Sequence, residues 1–364
     1  MISLLLPTPG DPVVLGSWMK NLDTYHHLFD EILILVNHVH VGVSMNESPM
    51  EDSTFTKLEK YYNSFSSDKI KILRNDYLNE HGYALNELIE TSKNDYLMLI
   101  EDDHYIFDIK GLEENINLIT SGKKKVIGKA RGSCTEEIQE KFAEDYPERY
   151  ALSERHGCSF WPSYYLFKKE LYYLTDKHLH SKNFEKGNDA GYVCATTQSC
   201  DTAVWFNIQL HDILKDEDYL YFKGNHYHSS DQDFLVDNDF IRPFGGLPDI
   251  KDVTDLHFGS LSTIFGLRLF EKPELFEKLN HIQDFIPQKS CNNDKDFFLS
   301  SLETFRRINW LKMLNNKLDS PFKSNYTKNL NFVLNQMNVD NPFIDFNEIN
   351  KTRFKDMLKR IFND

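Results

Sequence analysis

Asp95-Tyr96-Leu97-Met98-Leu99-Ile100-Glu101-Asp102-Asp103-His104 sets a run of five apolar or aromatic residues directly before three consecutive carboxylates. The run is too short for a helix and has no polar alternation, which suits a parallel strand covered on both faces. In an open α/β sheet, ligands sit in the crevice beyond the carboxyl ends of the strands. Glu101, Asp102 and Asp103 would therefore stand at the rim of a ligand pocket. Three adjacent anions repel one another, and a divalent cation is the simplest relief. A solvated acidic turn is the competing explanation, and the surrounding chain has to separate the two.

Upstream, Ile2 to Leu6 is a short apolar run closed by Pro7-Thr8-Pro9-Gly10-Asp11-Pro12, which reads as a buried strand and a sharp loop. A helix is expected over Val13 to Leu22, just after a proline. Glu31 to Val36 is a second strand ending at Asn37. Phe55, Leu58, Tyr61, Tyr62 and Phe65 have helical spacing behind Ser53 as cap. Lys69 to Leu73 is a third strand leading to Arg74-Asn75-Asp76, and Gly82 to Ser92 is a helix with Leu85, Leu88 and Ile89 on one face. Strand and helix alternate up to the acidic turn, the signature of a parallel sheet with helices packed on it.

Downstream, Leu112 to Ile119 reads as helix, Lys125 to Ala130 as strand, and the stretch to Asp145 as helix. Phe160 to Phe167 is a strand or an exposed loop, Lys169 to Thr175 a helix, and 183–199 a long Gly- and Asn-rich loop. Asp201 to Leu214 is expected to be a helix capped by Asp201. The segment from Lys223 to His257 is dense in His, Asp, Gly and Pro and reads as irregular. Beyond Leu275 the composition is helical, ending in an amphipathic segment from Arg353 to Phe362.

Composition narrows the function classes. The 364 residues carry a formal net charge of −15, which argues against a protein that holds nucleic acid mainly through a basic surface. Five cysteines without Cys-x-x-Cys spacing look like free thiols, not a disulfide framework or a zinc site. The N-terminus lacks the pattern of a signal peptide, and no segment approaches the roughly 18 apolar residues of a membrane span. A cytoplasmic protein with no membrane span is the expectation. It extends to a virus-infected host cell if the acceptor is viral.

The order and spacing of these pieces resemble the GT-A class of nucleotide-sugar glycosyltransferases, especially the inverting family 2 type. The residues that carry the resemblance are Leu6-Pro7-Thr8-Pro9, Asn37, Arg74-Asn75-Asp76 and His81-Gly82-Tyr83-Ala84-Leu85-Asn86 ahead of Asp95 to Asp103. The match covers about residues 1–130, and Glu101-Asp102-Asp103 stands where the family has its DxD acids, with Glu in first place. The resemblance implies a GT-A, Rossmann-like, mostly parallel sheet flanked by helices, with a mainly helical C-terminal extension. It divides the chain into a donor half at 1–130, an acceptor and catalytic half at 131–270, and a helical region at 271–364. It implies a sugar moved from a nucleotide-sugar, expected to be a UDP-sugar, to a hydroxyl with inversion.

Under that resemblance Mn²⁺ or Mg²⁺ is the cofactor, with Asp103 as the direct ligand and Glu101 and Asp102 in support. A later histidine completes the ion's shell, with His257 in Asp255-Leu256-His257 ahead of the pair His226 and His228. The nucleoside would touch Pro7, Thr8, Asp11, Asn37 and Asp76, and the helix beginning at Gly82 would aim N–H groups at the phosphates. Asp201, or else Asp189, is the candidate base for the acceptor hydroxyl. Trp161 and Tyr164 are candidates to stack on an acceptor. The acceptor stays open among a glycan, a lipid-linked sugar, a protein side chain and a hydroxymethylated DNA base, the last needing a local basic patch such as Lys123-Lys124-Lys125. A nucleotidyltransferase and a non-catalytic nucleotide-sugar binding module are the competing functions. The first is disfavoured by the lack of Lys or Arg in Pro7-Thr8-Pro9-Gly10-Asp11.

Overall fold

A computed structural model describes residues 1–8, 12–38, 60, 68–78, 81–131, 136–153, 159–180, 182–183, 188–189, 199–200, 202–222, 226–228, 250–258, 310–311 and 313–320. The strand β1 (Ile2–Thr8) is buried at all seven positions, as suits a mainly apolar central strand. It is followed by α1 (Pro12–Leu22), β2 (Glu31–His38), β3 (Ile70–Leu78), α2 (His81–Thr91) and β4 (Tyr96–Ile100). Beyond the acidic turn come β5 (His104–Ile106), α3 (Ile109–Thr120), β6 (Val126–Arg131), α4 (Glu136–Asp145), α5 (Pro147–Leu152), β7 (Ser159–Lys168) and α6 (Glu170–Leu174). Three two-residue strands follow, β8 (Lys182–Asn183), β9 (Asn188–Asp189) and β10 (Ser199–Cys200). The described chain continues with α7 (Val204–Ile213), β11 (Tyr219–Tyr221), β12 (His226–His228) and β13 (Asp255–His257).

Seven strands form one sheet in the order β11-β6-β7-β4-β1-β2-β3. β1 runs parallel to β2 and β4, and β2 to β3, so the carboxyl ends of the first four strands share one edge. β7 is antiparallel to both β4 and β6. The strand-or-loop segment around Trp161-Pro162 is thus a strand, and it enters the sheet against the direction of its neighbours. Leu5, Leu33, Leu97, Leu99, Tyr165 and Phe167 fill the core with Leu85, Leu88 and Ile89 of α2 and Phe206 of α7.

A second sheet, β12-β13-β5, stands at the carboxyl end of β4. β13 pairs antiparallel with β5 and parallel with β12, placing His257 opposite His104 and beside His228. β12 and β13 add short strands within Lys223 to His257, expected to be irregular, and β8, β9 and β10 do so around the loop expected at 183–199; residues 184–187, 190–198 and 229–249 lie outside the described residues. Elements of two or three residues are too short to show a period. The backbone of β5 is anchored from α1, where Asn21 donates from Nδ2 to Ile106 O at 2.7 Å and accepts from Ile106 N at 2.8 Å.

α7 also departs from expectation. It begins at Val204, and its cap is Ala203 in the left-handed region at φ 65°, so Asp201 is not the cap. Ala203 N donates to Leu179 O at 2.7 Å, and Asn207 Nδ2 donates to Ala203 O at 2.7 Å, which hold this strained start in place. The expected helix at 53–65, save Lys60, and the C-terminal region beyond 275, save 310–311 and 313–320, lie outside the described residues. Among the described residues no helix is long and apolar enough to cross a membrane.

Candidate active site

β4 delivers the three acids to the shared carboxyl edge, and the turn that follows splits them. His104 N donates to Glu101 O at 3.1 Å, closing the turn as β5 begins. Asp102 points back to β1 and accepts from Thr8 Oγ1 at 2.5 Å, both residues being buried. Glu101 and Asp103 converge instead on His257 of β13. His257 Nε2 lies 3.0 Å from Glu101 Oε2 and 3.3 Å from Asp103 Oδ1.

One ligand atom from each of Glu101, Asp103 and His257 lies within 4.8 Å of the others. Two oxygens and one imidazole nitrogen are a donor set that suits Mn²⁺. Neighbouring ligands of an octahedral ion with bonds of about 2.1 Å stand about 3 Å apart, so the separations at His257 match such an edge. The residues present therefore fit a divalent cation. Burial opposes charge on His257, but its hydrogen bonds and attraction to Asp103 and Glu101 prevail and raise its pKa from 6.5 to about 9. This point in the protein draws positive charge.

Behind His257 lies a buried group of charges that the sequence reading missed. His104 Nε2 is 3.0 Å from Asp255 Oδ2, and Lys129 Nζ from β6 is 3.0 Å from Asp255 Oδ1. Burial lowers the pKa of His104 in spite of the opposing attraction of Asp255. The available signal was the alternation of Asp255-Leu256-His257, which puts the acid and the histidine on one face of a strand.

The other expected residues fall as follows. Pro7 is buried in β1 opposite Leu35 of β2. Asn37 and Asp76 sit on the β2–β3 pair within its register irregularity between Val36 and His38. Gly82 is buried, and a Cβ there would stand 2.2 Å from His180 Cα. Its place is fixed by close backbone approach at the first turn of α2, next to His81, whose Nδ1 is 3.9 Å from Glu101 Oε1. The ring of Tyr83 stacks on that of His180 at 4.1 Å. Asp189 belongs to β9, whose backbone pairs with β8, while Asp11 and Asp201 lie outside the described residues.

The two aromatic candidates stand in different settings. Tyr164 is buried, with its hydroxyl accepting from Asn115 Nδ2 at 3.0 Å, so it presents no face to an acceptor. Trp161 is half-buried, donates from its indole to Ala130 O at 3.0 Å and meets the His257 ring edge-on at 4.9 Å. Of the basic patch, Lys124 Nζ donates to Glu217 O and Tyr219 O at 2.8 and 3.0 Å, and Lys125 pairs with Asp218 at 3.3 Å.

The seven-stranded order with one antiparallel member and acids at the carboxyl end of β4 is the architecture expected of a GT-A fold. No family model matches the sequence, and no curated protein matches it. Among solved structures the chain is similar to a glucosyl-3-phosphoglycerate synthase from Mycobacterium tuberculosis in complex with Mn²⁺, UDP-glucose and glycerol 3-phosphate. That likeness has 15% identity over 61% of this chain and 69% of the other, with a TM-score of 0.36. It is also similar to the mannosyltransferase PcManGT from Pyrobaculum calidifontis in complex with GDP-Man and Mn²⁺, at 9% identity over 99% of this chain and 84% of the other, with a TM-score of 0.40. At these values nothing about donor or acceptor passes from those proteins to this chain.

Proposed function

We propose that this protein is a metal-dependent GT-A glycosyltransferase that moves a sugar from a nucleotide-sugar to a hydroxyl acceptor. The observation that carries the reading is the convergence of Glu101, Asp103 and His257 at the sheet edge where ligands of open α/β folds sit. A divalent ion held there would supply the positive charge that stabilises a departing nucleoside diphosphate.

Asp103 and His257, with Glu101, hold that ion. Asp102 does a different task, since its hydrogen bond to Thr8 ties the turn to the end of β1 and fixes the direction of the acids. Pro7, Thr8, Asn37 and Asp76 sit along the carboxyl ends of β1, β2 and β3, where a nucleoside would lie, with Asp11 following β1 in sequence. Asp201, with Asp189 as the alternative, would accept the acceptor hydroxyl's proton, from the half of the chain at 131–270 that the reading gives to acceptor binding. Inversion and a UDP donor are parts of this proposal. No specific observation favours modified DNA, because Lys124 and Lys125 are engaged with residues 217–219.

The test is release of nucleoside diphosphate from a panel of UDP- and GDP-sugars, with and without Mn²⁺. Turnover that needs the cation and is lost in Asp103→Ala is expected. A panel that is neither bound nor turned over would remove the enzyme reading, and binding without turnover would leave a binding module.

A further inference from the structure

We infer that Lys129, Asp255 and His104 act together as positioning residues that hold the His257 ring against Glu101 and Asp103, so that cation affinity is set from β6, outside the ligand set. The inference rests on the metal-site reading above and extends it to residues outside the ligand set.

His257 belongs to the small β12-β13-β5 sheet, while the seven-stranded sheet carries β4 and β6. Lys129 comes from the large sheet and Asp255 from the small one, so their 3.0 Å ion pair ties the two sheets together one face-repeat from His257. Asp255 and Lys129 are both buried, a setting in which an ion pair is screened little and a lone charge is costly. Asp255 spends its second oxygen on His104 Nε2 at 3.0 Å. That contact braces the His104 ring, which lies 5.2 Å from the His257 ring at an interplanar angle of 33°. On another side His257 meets the edge of Trp161 at 4.9 Å. The imidazole is thereby flanked by two rings that are themselves held, His104 by its close contact with Asp255 and Trp161 by its hydrogen bond to Ala130 O.

A metal histidine needs its ring plane fixed before the ion arrives, and outer partners that do so commonly change affinity by about 10- to 100-fold when removed. Lys129 Nζ also lies over the Phe222 ring, 5.2 Å from its centroid, so the charge itself is what Asp255 and this ring both meet. Lys129→Met is therefore the informative change: it keeps most of the stem and removes the charge.

The experiment is Mn²⁺ titration of the full chain without nucleotide, followed by the electron paramagnetic resonance signal of the free ion, with thermal unfolding in parallel. Lys129→Met is expected to weaken Mn²⁺ binding by about tenfold. The double variant Lys129→Met/Asp255→Asn, which removes the stranded charge but keeps an acceptor for His104, is expected to recover part of that loss. Should Lys129→Met fail to fold, His104→Phe breaks the chain at its other end and is expected to weaken binding likewise. Unchanged Mn²⁺ affinity in a folded Lys129→Met or His104→Phe protein, while Asp103→Ala loses binding, overturns the positioning role and leaves the metal site intact. Unchanged affinity in Asp103→Ala overturns the metal site itself.

Discussion

His257 makes cation binding a proton exchange, and pH is the perturbation that exposes it. Its pKa is raised from 6.5 to about 9 by Asp103 and Glu101 working against burial. Two pH units below that value the imidazole is about 99% protonated, and an ion taking Nε2 must displace the proton. Mn²⁺ binding near pH 7 is therefore expected to release about one proton, falling to about half near pH 9. Apparent affinity should rise about tenfold per pH unit from about pH 7 towards pH 9 and then level. Calorimetric titration in buffers of different ionisation enthalpy reads the proton count directly. Affinity independent of pH with no proton released, or proton release that persists in His257→Gln, would refute the reasoning. Stability of the metal-free protein runs the other way. A folded-state pKa above the unfolded value contributes fully below about pH 6.5 and is lost as pH rises through about 9, on the order of 3 kcal/mol for this buried group.

Other consequences are as direct. Gly82→Ala puts a methyl 2.2 Å from His180 Cα, backbone that has no flexible end to move. A loss of about 3 kcal/mol in urea unfolding is expected, and a loss under about 1 kcal/mol would contradict the packing. Asn21→Ala removes both partners of Ile106, the last residue of β5, and should cost about 2–4 kcal/mol by the same measurement. Thr8→Val takes the hydroxyl from the buried Asp102 carboxylate, at a cost of about 1–3 kcal/mol that Thr8→Ser should restore. Equal stability of the Val and Ser variants would show that the bond contributes nothing.

The donor side of the sheet was legible because its strands are buried on both faces. Ile2 to Leu6, Glu31 to Val36 and Tyr96 to Ile100 are mainly apolar stretches, short and bounded by loop residues, which suits a covered strand. Asp103 and His257 were legible as ligand types, and the fold brings together two residues far apart in the chain. What stayed hidden lacks a local pattern. The ring of short strands β5, β12 and β13 has no period to detect, and the left-handed Ala203 that starts α7 is a non-glycine with nothing in its neighbours to announce it. Lys129, His104 and Asp255 meet only through the docking of two sheets, so no spacing in the sequence encodes their contact. The two carboxylates that read alike in Asp102-Asp103 are told apart by the turn, which sends one to Thr8 and the other to His257.

The central claim is that Glu101, Asp103 and His257 hold one divalent ion at the donor site. A crystal structure grown with Mn²⁺ and UDP, with the ion located by its anomalous scattering, tests it most directly. The account expects a single ion bound by Asp103 and His257, with Glu101 bonded to it directly or through water, and with the diphosphate completing its shell. An ion bound elsewhere, or UDP bound at the sheet edge with His257 still paired to Glu101 and Asp103 and no ion between them, would contradict it.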